Sequence, residues 1–531
     1  MKNFPVLRLV LWFKLVLIGL FIGVTSISLP LIKPANAAVL TIKNYYLPFI
    51  VKPYPYDWLQ FNGDASHGGF NRLENRISVS SVGQLQMLFQ VSLPGIADGA
   101  PVYLSNVSTA SGLGDLIFVT TRAGHIAALD AHSGVLLWSK QYGPAGCLIN
   151  RNQARNELCY TTSSPAIDPN RMFVYSYGLD GYVHKYSVGD GTEILTGGWP
   201  ELTTLKRYDE KGSSALSIAT TANGTSYLYV AHAGYPGDQG NYQGHITVIN
   251  LTDGTQKVFN TLCSNQTVHF VDSRITTGPD CYPNTMAAIW ARPGVVYDPY
   301  HDRILMSTGN GNFQPANLLW GDTVFGLNPD GSTSGGNPLD SYTPDNYQDL
   351  QKADLDLGST APAILPPASG KYPHLAVQGG KDGVLRLINL DLLSRQSGVG
   401  HTGGEVFSMT VPMGGGILTQ PAVWVDSADY SIWIFVNNGA GLAGLQLTVS
   451  AVGDPSLILK WTSGGGTSPL VVNGVVFFAR NGLINALNAT DGSLLWSDNR
   501  IGHIHWESPI VANGVLYITD GSGNLTAYSL P

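Results

Sequence analysis

Short apolar strands separated by polar turns run through most of the chain. Residues 85–93, L-Q-M-L-F-Q-V-S-L, alternate between apolar and polar positions, which is typical of a strand with one buried face. A longer stretch, residues 468–496, contains four such strands, with an Asn-Gly turn in the first half and an Asp-Gly turn in the second. Four strands in a meander predict one blade of a β-propeller.

The same unit recurs along the chain, and most copies begin at a proline. The prolines are Pro101, Pro165, Pro293, Pro362, Pro421, Pro469 and Pro509. The interval from Pro165 to Pro293 is twice that from Pro101 to Pro165, and residues 217–230 supply a copy that lacks its proline. Eight copies predict an all-β fold, an eight-bladed β-propeller of four-stranded antiparallel blades. A sandwich or two smaller domains would not require such regular spacing.

The last copy has three strands and lacks a fourth. We expect the N-terminal strand at residues 85–93 to pair into this last blade, which would close the ring and remove its exposed sheet edges. Deleting residues 85–93 is therefore expected to destabilise the whole domain.

The amino terminus has the pattern of an export signal. Lys2 and Arg8 precede an apolar run, and Ala35-Asn36-Ala37 follows as a small-residue cleavage pattern. We therefore predict a secretory signal peptide at 1–37, a linker or extended arm at 38–56 and the propeller at 57–531. This places the protein outside the cytoplasm, as a secreted, periplasmic or cell-surface protein. The alternative is an uncleaved membrane anchor, because the apolar run is long enough to span a bilayer.

The charge balance argues against nucleic acid as a partner. Only 12% of the residues are charged, and 62 are glycine, which suits many short strands and tight turns. Residues 1–37 contain four of the 29 Lys and Arg and none of the 37 Asp and Glu, so the remainder carries a net charge of −12.

Four cysteines fit an oxidising compartment. Local pairing, Cys147 with Cys159 and Cys263 with Cys281, is the simplest of three connectivities. No C-x-x-C spacing indicates zinc or redox exchange, and no C-x-x-C-H indicates covalent haem.

Polar residues gather at one end of the predicted ring. In a meander blade, the loops between second and third strands emerge on the same end as the loops between blades, and we call this end the mouth. After second strands we place Arg122, Asp180, Asn310, Lys381, Asn437, Arg480 and Asp520. Before first strands we place Trp290, Asp354, Asp356, His503 and His505.

Two repeats carry a family resemblance. Residues 128–138, A-L-D-A-H-S-G-V-L-L-W, and residues 486–496, A-L-N-A-T-D-G-S-L-L-W, resemble the repeat of pyrroloquinoline quinone (PQQ) propellers. The likeness extends over nearly everything from Asp57 onward. The repeat alone implies the fold, because non-catalytic propellers such as the lipoprotein that assists outer-membrane assembly share it.

The middle of the chain resembles quinoprotein alcohol dehydrogenases in the order of its motifs. Trp290 is similar to their tryptophan that stacks on the quinone, and it is followed by Tyr-Asp-Pro and then by Gly309-Asn310, whose asparagine binds metal in that family. Asp354 resembles their catalytic base and a metal ligand, and Asp356 the extra carboxylate of lanthanide-using members. Lys381, in G-G-K-D-G, is similar to their cationic residue that contacts the quinone.

The implied chemistry needs these residue types. A quinone ring needs an aromatic floor, and a hard cation such as Ca²⁺ or a lanthanide ion needs oxygen ligands. The cation polarises a quinone carbonyl, and a carboxylate takes the substrate hydroxyl proton as hydride moves to the cofactor.

The chain departs from the family pattern at two places. It has no pair of adjacent cysteines, and the acidic metal ligand expected in the third blade is matched only by Asp238, one residue out of position. Each residue also has a structural alternative: Asn310 and Lys381 suit turns, Asp354 and Asp356 suit loop caps, and Trp290 suits packing between blades.

A second constellation is formed by His503, His505 and Glu507, which share a face if the segment is extended. Such spacing could hold zinc or copper. The neighbouring Trp506 and Ser508-Pro509 favour an ordinary turn between blades.

Two functions fit the sequence. The first is a secreted quinoprotein-type oxidoreductase that uses PQQ and a metal ion on an alcohol or sugar hydroxyl, polymeric substrates included, and passes electrons to a separate acceptor. The alternative is a non-catalytic secreted propeller that binds a protein or polysaccharide and has lost the cofactor.

Overall fold

The computed structural model describes residues 57–143, 147–149, 158–235, 240–272 and 278–531. The chain divides between Lys52 and Pro53 into two compact units, and every described residue belongs to the second. The predicted signal peptide, the predicted linker and Asp238 lie outside the described residues.

In the described residues, eight antiparallel sheets of four or five strands follow one another along the chain, which confirms the predicted all-β, eight-bladed propeller. The strand nearest the amino terminus is β1 (Gln86–Ser92). Blade one is β2 (Val102–Thr109), β3 (Gly112–Thr120), β4 (His125–Asp130) and β5 (Leu136–Gln141). Blade two is β6 (Ala166–Ile167), β7 (Phe173–Tyr177), β8 (Tyr182–Ser187) and β9 (Glu201–Leu202). Blade three is β10 (Glu210–Gly212), β11 (Ser217–Thr220), β12 (Ser226–Gly234), β13 (His245–Asn250) and β14 (Gln256–Asn260), in which β10 and β11 both pair with β12.

The remaining blades repeat this meander. Blade four is β15 (Val296–Asp298), β16 (Arg303–Ser307), β19 (Val324–Leu327) and β20 (Asp340–Tyr342), with the small hairpin β17 (Phe313–Gln314) and β18 (Leu319–Trp320) inserted after β16. Blade five is β21 (Ala363–Ile364), β22 (Leu375–Gln378), β23 (Val384–Asn389) and β24 (Phe407–Thr410). Blade six is β25 (Ala422–Val425), β26 (Ile432–Asn437), β27 (Leu442–Val449) and β28 (Pro455–Ser463). Blade seven is β29 (Leu470–Val472), β30 (Val475–Arg480), β31 (Leu483–Asn488) and β32 (Leu494–Asp498), and blade eight contributes β33 (Ile510–Ala512), β34 (Val515–Thr519) and β35 (Asn524–Ser529).

Strand β1 is the fourth strand of blade eight. It pairs antiparallel with β35, with Gln90 opposite Thr526, and the Leu93 amide donates to the Gly523 carbonyl at 2.8 Å. One buried apolar cluster contains Phe477 of blade seven, Ile518 of blade eight and Ile117 of blade one. The last and first blades therefore share a core.

A tryptophan of one blade fixes the turn of the next. The indole N–H of Trp138, on β5, donates to the Val188 carbonyl at 3.2 Å. A Cβ placed on Gly191 would lie 2.6 Å from the Trp138 ring, and Gly191 has φ 67°. The turn therefore needs glycine for both its conformation and its contact, which explains why Asp-Gly and Trp recur together in the sequence.

The connection between blades four and five contains helix α1 (Tyr347–Ala353) and a 3₁₀ turn at Leu357–Ser359. Asp354 follows the last residue of α1 as its C-cap and has a left-handed φ of 54°. Two other 3₁₀ turns lie at Val82–Gln84 and Pro315–Asn317. The connection after α1 brings Asp354 and Asp356 to the mouth.

The two predicted disulfides are present, Cys147 with Cys159 and Cys263 with Cys281. Both lie in loops between blades. Within the described residues, no helix has the length and apolar character needed to cross a membrane.

Candidate functional site

Four residues predicted at the mouth form one hydrogen-bonded cluster. The Asn310 backbone amide donates to Asp356 Oδ1 at 2.6 Å, and Asn310 Nδ2 donates to Asp354 Oδ1 at 3.0 Å. Lys381 Nζ lies 3.1 Å from Asp354 Oδ1 and forms an ion pair with Asp356 Oδ2. The structure therefore brings together two carboxylates, one amide and one ammonium group from blades four and five.

The two carboxylates differ in their access to solvent. The side chain of Asp356 is 2% exposed, whereas that of Asp354 is 63% exposed. Burial disfavours the charged form of Lys381, but the attraction of Asp356, together with hydrogen bonds to both carboxylates, raises the pKa of its ammonium group. Lys381 is thus held as a cation, and of these two carboxylates Asp354 is the one exposed at the mouth.

The side-chain oxygen of Asn310 has no hydrogen-bond partner among the described residues, although Asn310 is buried. A buried amide oxygen without a donor is costly, by about 1–3 kcal/mol. Its amide nitrogen is satisfied by Asp354. The free oxygen is therefore a position at which a cation or a donor group would be stabilised.

Trp290 borders this cluster through Gly309. A Cβ on Gly309 would lie 2.1 Å from Asp356 Oδ1 and 2.9 Å from Trp290 Cδ1. The half-buried Trp290 also meets the Tyr242 ring edge-on, at 5.9 Å between ring centroids. Glycine before Asn310 is therefore required for the indole and the carboxylate to approach each other.

Asp322 is a further member of the site that the sequence analysis missed. It lies between β18 and β19, its Oδ1 accepts from the Leu357 amide at 3.1 Å, and its buried Oδ2 has no partner among the described residues. Burial, reinforced by the charges of Asp356 and Asp382, raises the pKa of Asp322 to about 8. The sequence signal that could have indicated Asp322 is the Gly321-Asp322 pair, which follows the inserted hairpin and leads back into blade four.

A cavity of about 670 Å³ adjoins the cluster. The loops that line it come from the mouth ends of blades four to eight, and they include Arg292, Asn438, Arg480 and Trp506. Gly416 also lines it and packs on Lys381, since a Cβ there would lie 2.7 Å from the Lys381 carbonyl oxygen. The volume is in the range of small-molecule binding sites.

Comparison with known proteins defines the fold. A europium-containing methanol dehydrogenase superposes with a TM-score of 0.62 and 13% identity, over 90% of this chain and 98% of that one. The quinohemoprotein alcohol dehydrogenase ADHIIG from Pseudomonas putida HK5 superposes with a TM-score of 0.61 and 14% identity, over 90% of this chain and 80% of that one. The family model described as outer membrane protein assembly factor BamB matches residues 446–530. No curated protein matches the chain by sequence.

The chain has the PQQ-type propeller fold. Its fold is shared with the quinoprotein alcohol dehydrogenases, as the repeats at residues 128–138 and 486–496 indicated. At 13–14% identity, the superpositions establish this fold and leave the activity to be argued from the site.

Arg292 lies at the centre of this PQQ-type propeller. Its guanidinium donates to the Thr162 carbonyl at 2.8 Å, to the Ser213 carbonyl at 3.2 Å and to the Asp98 carbonyl at 3.3 Å. Burial lowers the pKa of Arg292 to about 10. It remains a cation at neutral pH and joins the connections of four blades at the wall of the cavity.

The second predicted metal constellation does not converge. His505 Nδ1 lies 2.8 Å from Asp98 Oδ1, and the His505 backbone amide donates to Glu507 Oε2 at 2.5 Å. Among the described residues, the side chains of His503, His505 and Glu507 do not bring three ligand atoms close enough to hold one metal ion. The segment 503–507 therefore fits the interpretation as an ordinary turn between blades seven and eight.

Proposed function

We propose that the protein is a quinoprotein-type oxidoreductase that oxidises an alcohol or a sugar hydroxyl, including one on a polymer, with PQQ and a Ca²⁺ or lanthanide ion bound at the mouth. The observation that carries the proposal is the cluster of Asn310, Asp354, Asp356 and Lys381, in which the buried Asn310 oxygen has no partner within the part of the chain that the structure describes. The fold shared with alcohol dehydrogenases supports it.

The donor set suits a hard cation. Such ions take carboxylate and amide oxygens, and the cluster offers Asn310 Oδ1, Asp354 and Asp356. These two carboxylates face a single ammonium group, that of Lys381. A bound cation would be coordinated by the free amide oxygen of Asn310. It would also balance the carboxylate charge that Lys381 leaves unpaired, so the residues present fit the ion.

The cavity suits an anionic quinone. PQQ carries carboxylates, and Arg292 and Arg480 both line the cavity. Guanidinium groups pair with carboxylates in a fixed geometry and stay charged. Trp506 also lines the cavity, and Trp290 borders the cluster of Asn310 and Asp356 through Gly309.

The chain's own residues would divide the work as follows. When bound, PQQ supplies a two-electron acceptor and the cation supplies Lewis acidity. Asp354, the exposed carboxylate, would take the proton of the substrate hydroxyl. Lys381 holds Asp354 and Asp356 in place, and Asn310 orients Asp354 through its amide nitrogen.

We further propose that the protein works outside the cytoplasm, with residues 1–37 as its signal peptide. The two disulfides support this location, because such bonds persist in oxidising compartments. Electrons would leave to a separate acceptor.

A non-catalytic propeller that binds a protein or polysaccharide is the competing proposal. The match of residues 446–530 to the BamB model supports it. The two proposals differ in whether the mouth cluster binds a cofactor, so activity of the wild-type chain separates them.

Dye-linked alcohol oxidation by the chain, reconstituted with PQQ and Ca²⁺ or a lanthanide, tests the proposal. Asp354→Asn removes the base but keeps the shape, so we expect kcat/KM to fall by about 10²–10⁴-fold. Asp349→Asn, on the exposed face of α1, is the matched control and should leave the rate unchanged.

Equal rates for Asp354→Asn and wild type would show that Asp354 is not the base. A wild-type chain that reduces no dye with any alcohol or sugar would favour the binding propeller instead.

A further inference from the structure

A second cluster of ligand side chains lies at the opposite end of the propeller from the mouth. His301 Nε2 is 2.9 Å from Asp391 Oδ1, and His374 Nδ1 is 2.8 Å from the same oxygen. The three ligand atoms all lie within 4.8 Å of one another. We propose that His301, His374 and Asp391 form a site for a divalent transition-metal ion, with Zn²⁺ as the ion that the donor set fits best.

The topology brings these residues together from two blades. His301 lies in the turn between β15 and β16 of blade four, His374 immediately precedes β22, and Asp391 follows β23 of blade five. Turns between first and second strands and between third and fourth strands emerge on the end away from the mouth. The site is therefore separate from Asn310 and its neighbours. A bound ion would link blade four to blade five.

The hydrogen bonds of His301 fix which nitrogen faces the site. Its Nδ1 lies 2.8 Å from Oδ2 of Asp298, a fully buried carboxylate that also accepts from Arg303 Nε at 3.0 Å. With Nδ1 directed at Asp298, Nε2 is the nitrogen that faces Asp391, and it shares a proton with Oδ1 of that carboxylate. A metal ion that replaces this proton would meet the Nε2 lone pair. A carboxylate that orients a ligating histidine in this way is the usual outer partner of a metal site.

The remaining ligands are also held in place. The His374 ring stacks on Tyr300, with centroids 4.9 Å apart and planes inclined by 24°. The Asp391 amide donates to the Asn389 side chain at 3.2 Å, and the Leu390 amide donates to the His374 carbonyl at 2.9 Å. Both ligands of blade five thus sit on hydrogen-bonded backbone.

The spacing and exposure suit zinc. Zn–N and Zn–O bonds of about 2.0–2.1 Å in a tetrahedron put neighbouring ligand atoms about 3.3 Å apart. The two nitrogen-to-oxygen distances, 2.9 Å for His301 and 2.8 Å for His374, would therefore each open by a few tenths of an ångström to admit the ion. The three side chains are 26%, 29% and 39% exposed, for His301, His374 and Asp391 respectively. Solvent can therefore supply the fourth ligand and a path of entry.

Titration of the EDTA-treated full-length chain with ZnCl₂, followed by calorimetry, tests the proposal. We expect one Zn²⁺ per chain at this site and an increase in Tm on binding, because an ion that binds only the folded state stabilises it. His301→Gln and His374→Gln should each weaken binding at this site by about 100-fold or more, since even loss of an outer partner costs 10–100-fold.

Two matched variants make the result specific. His132→Gln changes an exposed histidine that pairs with Asp115, and Asn310→Ala changes the mouth, so both should retain Zn²⁺ binding. If a histidine variant fails to fold without metal, as judged by circular dichroism, Asp391→Asn replaces it. Absence of Zn²⁺ binding at tens of micromolar, or binding that survives all three ligand substitutions, would overturn the proposal.

Discussion

The Asn310 side chain shows how one residue can link a turn to a site. Its amide nitrogen and its backbone N–H bind Asp354 and Asp356, while its buried oxygen stays without a donor among the described residues. A residue needed only for a turn would satisfy its oxygen locally. This unpaired oxygen is the reason we propose a ligand at the mouth.

The sequence could locate Asn310, Asp354, Asp356 and Lys381 on one end because strand order alone sets the end on which each loop emerges. It could not locate Asp322 in the site, nor His301 beside Asp391. The position of Asp322 depends on the path of the chain after the inserted hairpin, and the contact of His301 with Asp391 depends on how blade four packs against blade five. No local sequence pattern indicates either arrangement.

Glu210 provides a test at the residue scale that is independent of the site. It is fully buried, its Oε1 accepts from Thr204 at 2.5 Å, and burial raises its pKa to about 8 from 4.5. Between these values the unfolded chain ionises Glu210 while the folded chain keeps it protonated. Its contribution to stability is thus complete below pH 4.5 and is lost as pH rises through about 8.

Glu210→Gln keeps the shape of this side chain and removes its titration. We expect the variant to gain stability relative to wild type as pH rises from 5 to about 8, approaching about 1.4 kcal/mol per pH unit. Thermal melts across this range measure the difference, with Asp349→Asn as control. Parallel stability profiles for Glu210→Gln and wild type would contradict the account.

At the scale of elements, the blade is defined by short-range signals. Asn-Gly and Asp-Gly turns set several of the hairpins, and the tryptophan of one blade covers the turn glycine of the next, as Trp138 covers Gly191. Both features depend on residues that are close together in the sequence, so the number of blades and the order of strands could be predicted. Helix α1 and the β17–β18 hairpin interrupt the repeat and were not predicted.

Strand β1 is the element on which the last blade depends. Phe89 packs on the core shared by blades seven, eight and one, and a Cβ on Gly134 would lie 2.8 Å from the Phe89 ring. Leu88, the residue before Phe89, lies at a β-bulge in the pairing with β35, and its side chain is 41% exposed.

Phe89→Ala should therefore lower the free energy of unfolding by about 2–4 kcal/mol, because it removes a large ring from a packed surface. Leu88→Ala, which shortens an exposed side chain on the same strand, should change it by less than about 1 kcal/mol. Chemical denaturation measures both variants. Similar losses for the two substitutions would show that β1 is not docked through its Phe89 face.

At the scale of the whole molecule, the two ends of the propeller have different chemistry. The mouth gathers oxygen donors, cations and a cavity of about 670 Å³. The opposite end carries the nitrogen-rich cluster of His301, His374 and Asp391. The two ions that we propose, a hard cation at the mouth and Zn²⁺ at the opposite end, rest on the same rule, that donor type selects the ion.

Binding of PQQ is the measurement that tests the central claim most directly. The chain is mixed with PQQ and Ca²⁺ or a lanthanide ion, and the absorbance of protein-bound quinone is followed to saturation. We predict one PQQ per chain with micromolar or tighter affinity, dependent on the metal and lost in Asn310→Ala and Trp290→Ala. No binding at micromolar PQQ, or binding that survives both substitutions, would contradict the account.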